Sequence, residues 1–251
     1  VLASCWLACI FGGYAGLALA KPGVSPDAET LLRESDRARG GNVDGIVIES
    51  TVSSFHDADA GKVYSIRVYS DVDNSLVTFL QPEYSVGIKF LMQGRNMWLM
   101  SRETKKPVPI SPRQRLVGDA SNGDVATTNY VRDYDGKTLG EDQVNGEPCY
   151  KLELTAKQSN VTYDKIVYYI SKKNHLGLKA EYYTVSGRHF KTAYFQYGNR
   201  LLLDTGTFPF MSRMEILDEV EKGERTELLY NAPEIKRLSP SMFDRNSLSG
   251  N

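Results

Sequence analysis

Bulky apolar and polar side chains alternate through much of the second half of the chain. Within residues 149–157, Tyr150, Leu152 and Leu154 occupy every second position. A period of two predicts a β-strand with one wet face, because successive side chains of a strand point to opposite sides. Similar stretches follow at intervals of roughly 8 to 13 residues, separated by turn formers such as Ser186-Gly187. No helical pattern interrupts them, so the pattern predicts an antiparallel meander.

The same alternation runs through residues 43–100. Tyr64, Ile66 and Val68 share one face of a predicted strand, and a turn at residues 93–96 predicts a hairpin. The whole chain is therefore predicted to be mainly β, with about ten strands.

Two helices flank these strands. Ser25-Pro26 supplies the N-cap and first-turn residues of a helix whose apolar positions recur at helical spacing up to Gly40-Gly41. Ser239-Pro240 repeats this start signal ahead of a short C-terminal helix. About ten strands spaced ~4.8 Å apart make a sheet roughly 45 Å wide, whereas a helix covers only ~10 Å. The apolar face must therefore curl onto itself and leave a hollow beneath the helices, either filled by side chains or open to a ligand.

Composition excludes several classes of function. The chain has 30 Lys and Arg against 31 Asp and Glu, a net charge of -1, so nucleic acid is a poor partner. The three histidines show no metal-ligand spacing, and GxSxG, P-loop and GxGxxG motifs do not occur. The sequence thus predicts no catalytic residue, metal or cofactor. Asp133 and Asp135 precede Gly136, where acidic residues are commonly turn formers.

Residues 1–20 carry no charge and end in the small-residue triplet Ala18-Leu19-Ala20. This pattern predicts a signal peptide cleaved after Ala20 and a single domain over residues 21–251. Two alternatives remain open, a lipoprotein box ending at Cys5 and a retained membrane anchor. Cleavage would leave Cys149 as the one cysteine, expected to be a small buried hydrophobe.

Residues 101–124 lose the strand pattern and combine several basic residues with Pro107, Pro109 and Pro112. One interpretation is a mobile surface loop with solvated charges. The other is a basic lip that meets anionic head groups or an acidic partner protein.

An ordered series of segments resembles the LolA-like family of bacterial outer-membrane lipoprotein-sorting proteins. The resemblance covers nearly the whole chain after residue 20. Its segments are Leu31-Leu32 to Arg39, Leu76 to Pro82, Gly94 to Leu99, Asp119 to Asp135, Val144 to Tyr150, Lys179 to Tyr183, Ser186-Gly187 with Lys191, and Ser239 to Leu248.

The resemblance implies a strongly curved antiparallel half-barrel whose concave face is plugged by the N-terminal and the short C-terminal helix. It further implies a periplasmic carrier or chaperone, without catalysis, that moves the acyl chains of a lipid or lipoprotein toward the outer membrane. An RND-type inner-membrane exporter is the partner that this branch of the family suggests. The alternatives are a periplasmic lipid-acting hydrolase and a structural envelope subunit with a filled core.

The cavity lining is predicted from the apolar face of each strand. A shift of one residue in register would move any of these sets to the outer face. The predicted lining residues are Ile46, Ile48, Tyr64, Ile66, Val68, Leu76, Trp98, Met100, Leu152 and Leu154.

Overall fold

The computed structural model describes residues 26–104, 106–126, 129–203 and 206–249. The predicted signal peptide and its cleavage site after Ala20 lie outside these residues. The strands are β1 Ile46–His56, β2 Asp59–Ser70, β3 Asn74–Gln81, β4 Lys89–Gln93, β5 Asn96–Met100, β6 Val108–Ile110, β7 Arg115–Val117, β8 Ala120–Ser121, β9 Tyr134–Val144, β10 Glu147–Ala156, β11 Lys165–Ser171, β12 Gly177–Tyr183, β13 His189–Gln196, β14 Asn199–Leu203, β15 Gly206–Phe210, β16 Arg213–Asp218 and β17 Glu224–Ile235.

Thirteen of these strands form one antiparallel sheet in the order β6-β5-β4-β3-β2-β1-β17-β16-β13-β12-β11-β10-β9. Two meanders run outward from its centre, β1 to β6 on one side and β13 to β9 on the other. The strands β6 and β9 each have one neighbour, so the sheet is not closed. Two further hairpins, β7–β8 and β14–β15, stand apart from it.

The sheet has more strands than the ten or so predicted. Strand β9 is exposed on both faces between its buried ends Tyr134 and Val144, so it shows no alternation of apolar and polar residues. Strand β6 is three residues long and contains Pro109, a residue that the interior of a sheet excludes and an edge tolerates. Edge strands thus carry the weakest sequence signal.

The sheet is strongly curved, as predicted. Met97 of β5 and Leu154 of β10 lie near opposite edges of the sheet, yet both belong to one buried apolar cluster. Side chains from both flanks can meet only if the face that carries them is concave. This cluster forms the main core.

Helix α1, Ala28–Arg37, lies on the concave side, where Leu31 and Leu32 are buried in the main cluster. Its N-cap is Asp27, whose carboxylate accepts a hydrogen bond of 2.8 Å from the backbone N–H of Thr30. The predicted cap, Ser25, falls outside the described residues.

The C-terminal segment forms two short 3-10 helices, Pro240–Phe243 and Arg245–Ser249. Phe243 and Leu248 pack against Leu76 of β3 and Leu91 of β4. These two strand residues alternate with core residues such as Val77 and therefore face the convex side. The prediction that the C-terminal helix plugs the concave face is not what the structure shows, because the segment covers the opposite face.

Candidate functional site

A single stretch of chain crosses the open mouth of the curved sheet. It leaves edge strand β6 after Ile110 and enters the opposite edge strand β9 at Tyr134. Residues 111–126 and 129–133, called the cover here, contain the β7–β8 hairpin and the short helices α2, Asn122–Val125, and α3, Tyr130–Asp133. None of these described residues pairs with the main sheet. The cover is therefore attached to the concave face by side chains and turns.

The cover touches the sheet most closely at the β7–β8 turn. The backbone N–H of Asp119 donates a 2.7 Å hydrogen bond to Oγ1 of Thr226 on β17. Gly118 has a φ of +50°, and a Cβ atom there would lie 2.3 Å from that same Thr226 oxygen and 2.9 Å from Cβ of Ser54. Both the backbone conformation and the close approach require glycine.

Ion pairs hold the cover at its rim. Arg113 makes a two-pronged contact of 2.8 and 2.6 Å with Asp164, in the connection between β10 and β11. On the other side, Arg95 of the β4–β5 turn donates a 2.9 Å hydrogen bond to Asp133. Both contacts are partly buried, with side chains that are 22% and 14% exposed in the Arg95–Asp133 pair and 34% and 28% exposed in the Arg113–Asp164 pair.

Most of the predicted lining residues do face the concave side. Ile66, Val68, Leu152 and Leu154 belong to the main cluster, and Tyr64 packs against it. Ile46 and Ile48 form a smaller cluster with residues of the β14–β15 hairpin. Whether any of these seven residues binds a ligand stays a prediction.

Leu76, Trp98 and Met100 are not brought together with the other predicted lining residues. They belong to the convex cluster beneath the C-terminal 3-10 helices. The reason is register: Val68 pairs with Val77, so the next residue along, Leu76, points the other way. Cross-strand pairing then carries this face from Leu76 to Leu91 and on to Trp98. When both faces of a strand are covered, both carry apolar side chains. The sequence pattern alone therefore did not show which of these residues face the concave side.

Side chains of the cover fill the space above the concave face. Val117, Ala120, Val125 and Tyr130 are all buried in the main cluster. Two spaces lined by residues of α2 measure about 20 and 30 Å³. Such volumes hold one or two water molecules and no acyl chain. The interpretation of residues 101–124 as a solvated surface loop is therefore wrong for residues 111–124, whereas residues 101–104 and 106–110 are exposed or partly exposed. A ligand can reach the concave face only after the cover moves.

Polar side chains collect under the cover on one flank of the sheet. Tyr163 stacks on Tyr182 with ring centroids 3.8 Å apart, and its hydroxyl donates a 2.7 Å hydrogen bond to Asp124 of α2. Two cations are buried among these rings, Arg39 and Lys191.

Comparisons with known proteins assign this architecture to a family. A family model described as "Uncharacterized protein" matches residues 71–250. A LolA superfamily protein from Nitrosomonas europaea is 28% identical, with a TM-score of 0.79 over 88% of this chain and 99% of that chain. The chain belongs to the LolA-like family.

Two further structures show the same fold. One is a Vibrio parahaemolyticus domain described as an outer membrane lipoprotein-sorting protein, with a TM-score of 0.73 at 20% identity over 88% of this chain and 98% of that one. The other is a DUF1329 family protein from Desulfovibrio piger, with a TM-score of 0.72 at 23% identity over 88% and 97% of the two chains. A search of curated proteins gave no match.

Burial shifts the titration of several groups in this LolA-like protein. Burial raises the pKa of Asp36 on α1 to about 7, although Arg39 and the N–H groups of Val131 and Tyr130 pull it down. Burial likewise raises the pKa of Asp124 and lowers that of Lys191. Burial and the neighbouring carboxylate of Asp218 raise the pKa of Asp119 to about 6. Charge is therefore costly in this part of the interior.

Sequence reasoning about this LolA-like chain gave the polar cluster no role. Lys191 appeared only as part of a family segment, and Arg39 only as the end of another. A signal was present, since Lys191 shares its strand face with Ala193 and Phe195, which the alternation places inside.

The other residues that the sequence singled out, Cys149 and Asp133, are held in contacts within the fold. Cys149 is buried, as predicted. Asp133 contacts Arg95 and Arg132. Among the described residues, no cluster of three or more His, Cys, Asp or Glu could hold a metal ion. No helix in the described part of the chain is long and apolar enough to cross a membrane.

Proposed function

We propose that this protein is a periplasmic carrier that binds the acyl chains of a lipid or lipoprotein between the concave face and the cover, for transport toward the outer membrane. One observation carries the proposal: the cover spans the mouth from one sheet edge to the other, over an apolar face, without joining the sheet. The fold shared with LolA superfamily proteins supports it.

Binding exchanges one set of apolar contacts for another. When the cover lifts, Val117, Val125 and their neighbours leave the concave face, and an acyl chain takes their place. Each CH₂ group removed from water contributes about 0.8 kcal/mol, so a long chain can offset the loss of the cover's contacts. Release requires the reverse exchange, and we propose a membrane exporter of the RND type as the partner that drives it.

The filled interior favours one alternative, a structural envelope subunit that binds no ligand. A reversible lock on the cover separates the two functions. Gly123 of α2 faces Thr162, and a Cβ atom at Gly123 would lie 3.1 Å from Cβ of Thr162. Disulfides need Cβ atoms about 3.5–4.5 Å apart, so a shift of a few tenths of an ångström admits the bond.

The experiment uses Gly123→Cys with Thr162→Cys in a Cys149→Ala background, and the methyl ester of the fluorescent fatty acid parinaric acid as an uncharged probe. Oxidation is expected to weaken probe binding at least about tenfold, which is about 1.4 kcal/mol, and reduction to restore it. Equal binding in both states would place the site elsewhere and overturn the proposal. Absence of saturable binding in either state would instead support the structural subunit.

A further inference from the structure

Lys191 projects from β13 into the interior and is 3% exposed. Its ammonium group lies 5.7 Å from the ring centre of Tyr163 and 5.6 Å from that of Phe190. It donates hydrogen bonds to the carbonyl oxygen of Asp119 and, over 3.3 Å, to Oγ of Ser121. Both acceptors belong to the cover. Lifting the cover therefore removes the hydrogen-bond acceptors that the structure gives this cation.

Arg39, which follows α1, is buried on the same side. Its guanidinium carbon lies 4.4 Å from the ring centre of Tyr130 and 4.7 Å from that of Phe195. One nitrogen donates a 3.4 Å hydrogen bond to the hydroxyl of Tyr168, while Nε is buried without a partner. A buried guanidinium with an unused donor is poorly satisfied, and an added acceptor would stabilise it.

The cover supplies the negative charge that faces these cations. Asp124 of α2 is buried, and its carboxylate accepts hydrogen bonds of 2.8 Å from the N–H of Ser121 and 2.7 Å from Tyr163. Both Lys191 and Arg39 attract it electrostatically, though neither forms an ion pair with any described carboxylate. Asp119 of the cover also attracts Lys191. Asp36 on α1 stays beside Arg39, and Asp218 on β16 stays near Lys191, when the cover lifts. Uncovering therefore removes two of the four carboxylates that face these cations, together with both hydrogen-bond acceptors of Lys191.

A neutral acyl chain would not replace the acceptors that Lys191 loses, nor would it pair the unused donor of Arg39, and buried cationic groups without partners are strongly unfavourable. We propose that the cargo is an anionic amphiphile whose negatively charged head group replaces the cover's carboxylates at Lys191 and Arg39. Its acyl chain then lies on the aliphatic part of the concave face. This inference rests on the carrier function proposed above and adds the chemical class of the cargo.

A surface groove leads to the same place. A space of about 530 Å³ lies beside Lys191 and is lined by Ser121, Phe190 and two more basic residues, Arg113 and Arg115. Arg113 is paired with Asp164, and Arg115 with Asp119 and Asp218. The groove gives an anionic head group a path from solvent to Lys191 along which Arg113 and Arg115 lie, with Asp164 as the one carboxylate in its lining.

The test compares parinaric acid with its uncharged methyl ester, at a pH where the free acid is ionised. Lys191→Met keeps most of the aliphatic stem and removes the charge. It is expected to weaken binding of the acid about tenfold, or about 1.4 kcal/mol, while the ester binds as before. Lys137→Met, on the exposed edge strand β9, makes the same change in net charge and is expected to affect neither probe.

Asp124→Asn provides a second variant with the opposite expectation. Asparagine keeps an oxygen for Ser121 and Tyr163 but removes the charge that competes with the cargo, so the acid should bind more tightly and the ester should change less. Hexadecyl phosphate should displace the acid, because the site recognises charge beside a chain. Inorganic phosphate alone displacing it equally well would show a site for free anions and overturn the amphiphile.

The outcomes separate this inference from the carrier function. If the ester binds saturably and Lys191→Met and Asp124→Asn leave both probes unchanged, the carrier stands and the anionic cargo is wrong. If Lys191→Met weakens acid and ester equally, its effect is structural and the inference is also wrong. If the wild-type protein binds neither probe, the carrier function itself fails.

Discussion

The concave face has two chemically different halves. The first, called the aliphatic half here, is formed by strands β2 to β5. It consists mainly of aliphatic and phenylalanine side chains, including Ile66, Val77, Phe79 and Phe90. The second, called the tyrosine half here, is formed by strands β11 to β13. It contains Tyr168, Tyr182 and Lys191 among smaller apolar residues. One cover spans both halves, with the carboxylates of Asp119 and Asp124 over the second.

If the protein is a carrier, as proposed above, this difference between the two halves orients its cargo. The aliphatic half gains free energy only from apolar surface, which any part of an acyl chain supplies. The tyrosine half offers hydroxyl groups and cations, which need acceptors with defined positions. A ligand with one apolar and one polar end therefore has one favourable direction.

A charge in the aliphatic half should be the most damaging change. Ile66 is 1% exposed and packed on all sides in the covered state. Ile66→Asp is expected to lower the free energy of unfolding by at least about 4 kcal/mol, because it removes a buried side chain and leaves an unpaired carboxylate. Denaturant unfolding measures this, with Ser65→Asp on the opposite face as the control. A fall below about 1 kcal/mol would mean that water reaches the aliphatic half, so that the interior is not filled.

Truncation of one aromatic ring on each face should separate stability from binding. Phe90→Ala, on the concave face, is expected to cost about 3 kcal/mol and to weaken binding of the uncharged acyl probe. Trp98→Ala, on the convex face, should cost less, because the ring is partly exposed, and should leave binding unchanged. A larger loss of binding from Trp98→Ala would place the ligand on the convex face.

The sequence predicted the curved antiparallel sheet and most of the concave residues because period-two alternation is a direct consequence of strand geometry. It did not separate the two faces of β3 to β5, since both are apolar there. Leu76 and Val77 are adjacent, and each is covered, one by the C-terminal 3-10 helices and the other by the main core. Only the cross-strand register assigns each face.

The cover was missed for a different reason. Residues 111–126 contain Pro112 and several charges and lack periodicity, the usual pattern of a surface loop. Their burial depends on partners distant in sequence, such as Asp164 for Arg113 and Thr226 for Asp119. Local patterns contain no information on such pairs. The functional assignment of Lys191 likewise required knowing that the cover lies over it.

The stability of the covered state should fall as the pH rises. Asp36 has a pKa of about 7 in the folded protein against 3.8 when exposed. Its contribution is therefore fully present below 3.8 and is lost as the pH rises through about 7, since the folded state holds the proton more tightly. Between pH about 6 and about 7 the loss is at most about 1.4 kcal/mol. Asp36→Asn, which cannot titrate, should flatten the dependence measured by thermal unfolding at several pH values.

The control for this pH experiment is Asp27→Asn at the exposed start of the same helix. The pKa of Asp27 is lowered, chiefly by the hydrogen bond from the Thr30 backbone N–H, so replacing Asp27 should leave the slope between pH about 6 and about 7 intact. A slope that persists in Asp36→Asn would assign the dependence to another group, with Asp119 the next candidate.

The smallest effect on stability is expected from breaking the ion pair between Arg113 and Asp164, which attaches the cover beside the tyrosine half. Arg113 and Asp164 are 34% and 28% exposed, so Arg113→Gln should cost about 1 kcal/mol or less. Its effect on kinetics should be larger in proportion, because the pair holds the cover closed and the groove beside it leads to Lys191. Stopped-flow mixing is expected to show faster association of the methyl ester and a smaller gain for ionised parinaric acid, because the variant leaves the Asp164 carboxylate without its cation beside the path of the acid. Arg33→Gln, which breaks an exposed pair with Glu29 on α1, removes the same charge outside the cover and should change neither rate. Equal acceleration of acid and ester would show that the cover opens over both halves at once, and the head group would then have no entry route of its own.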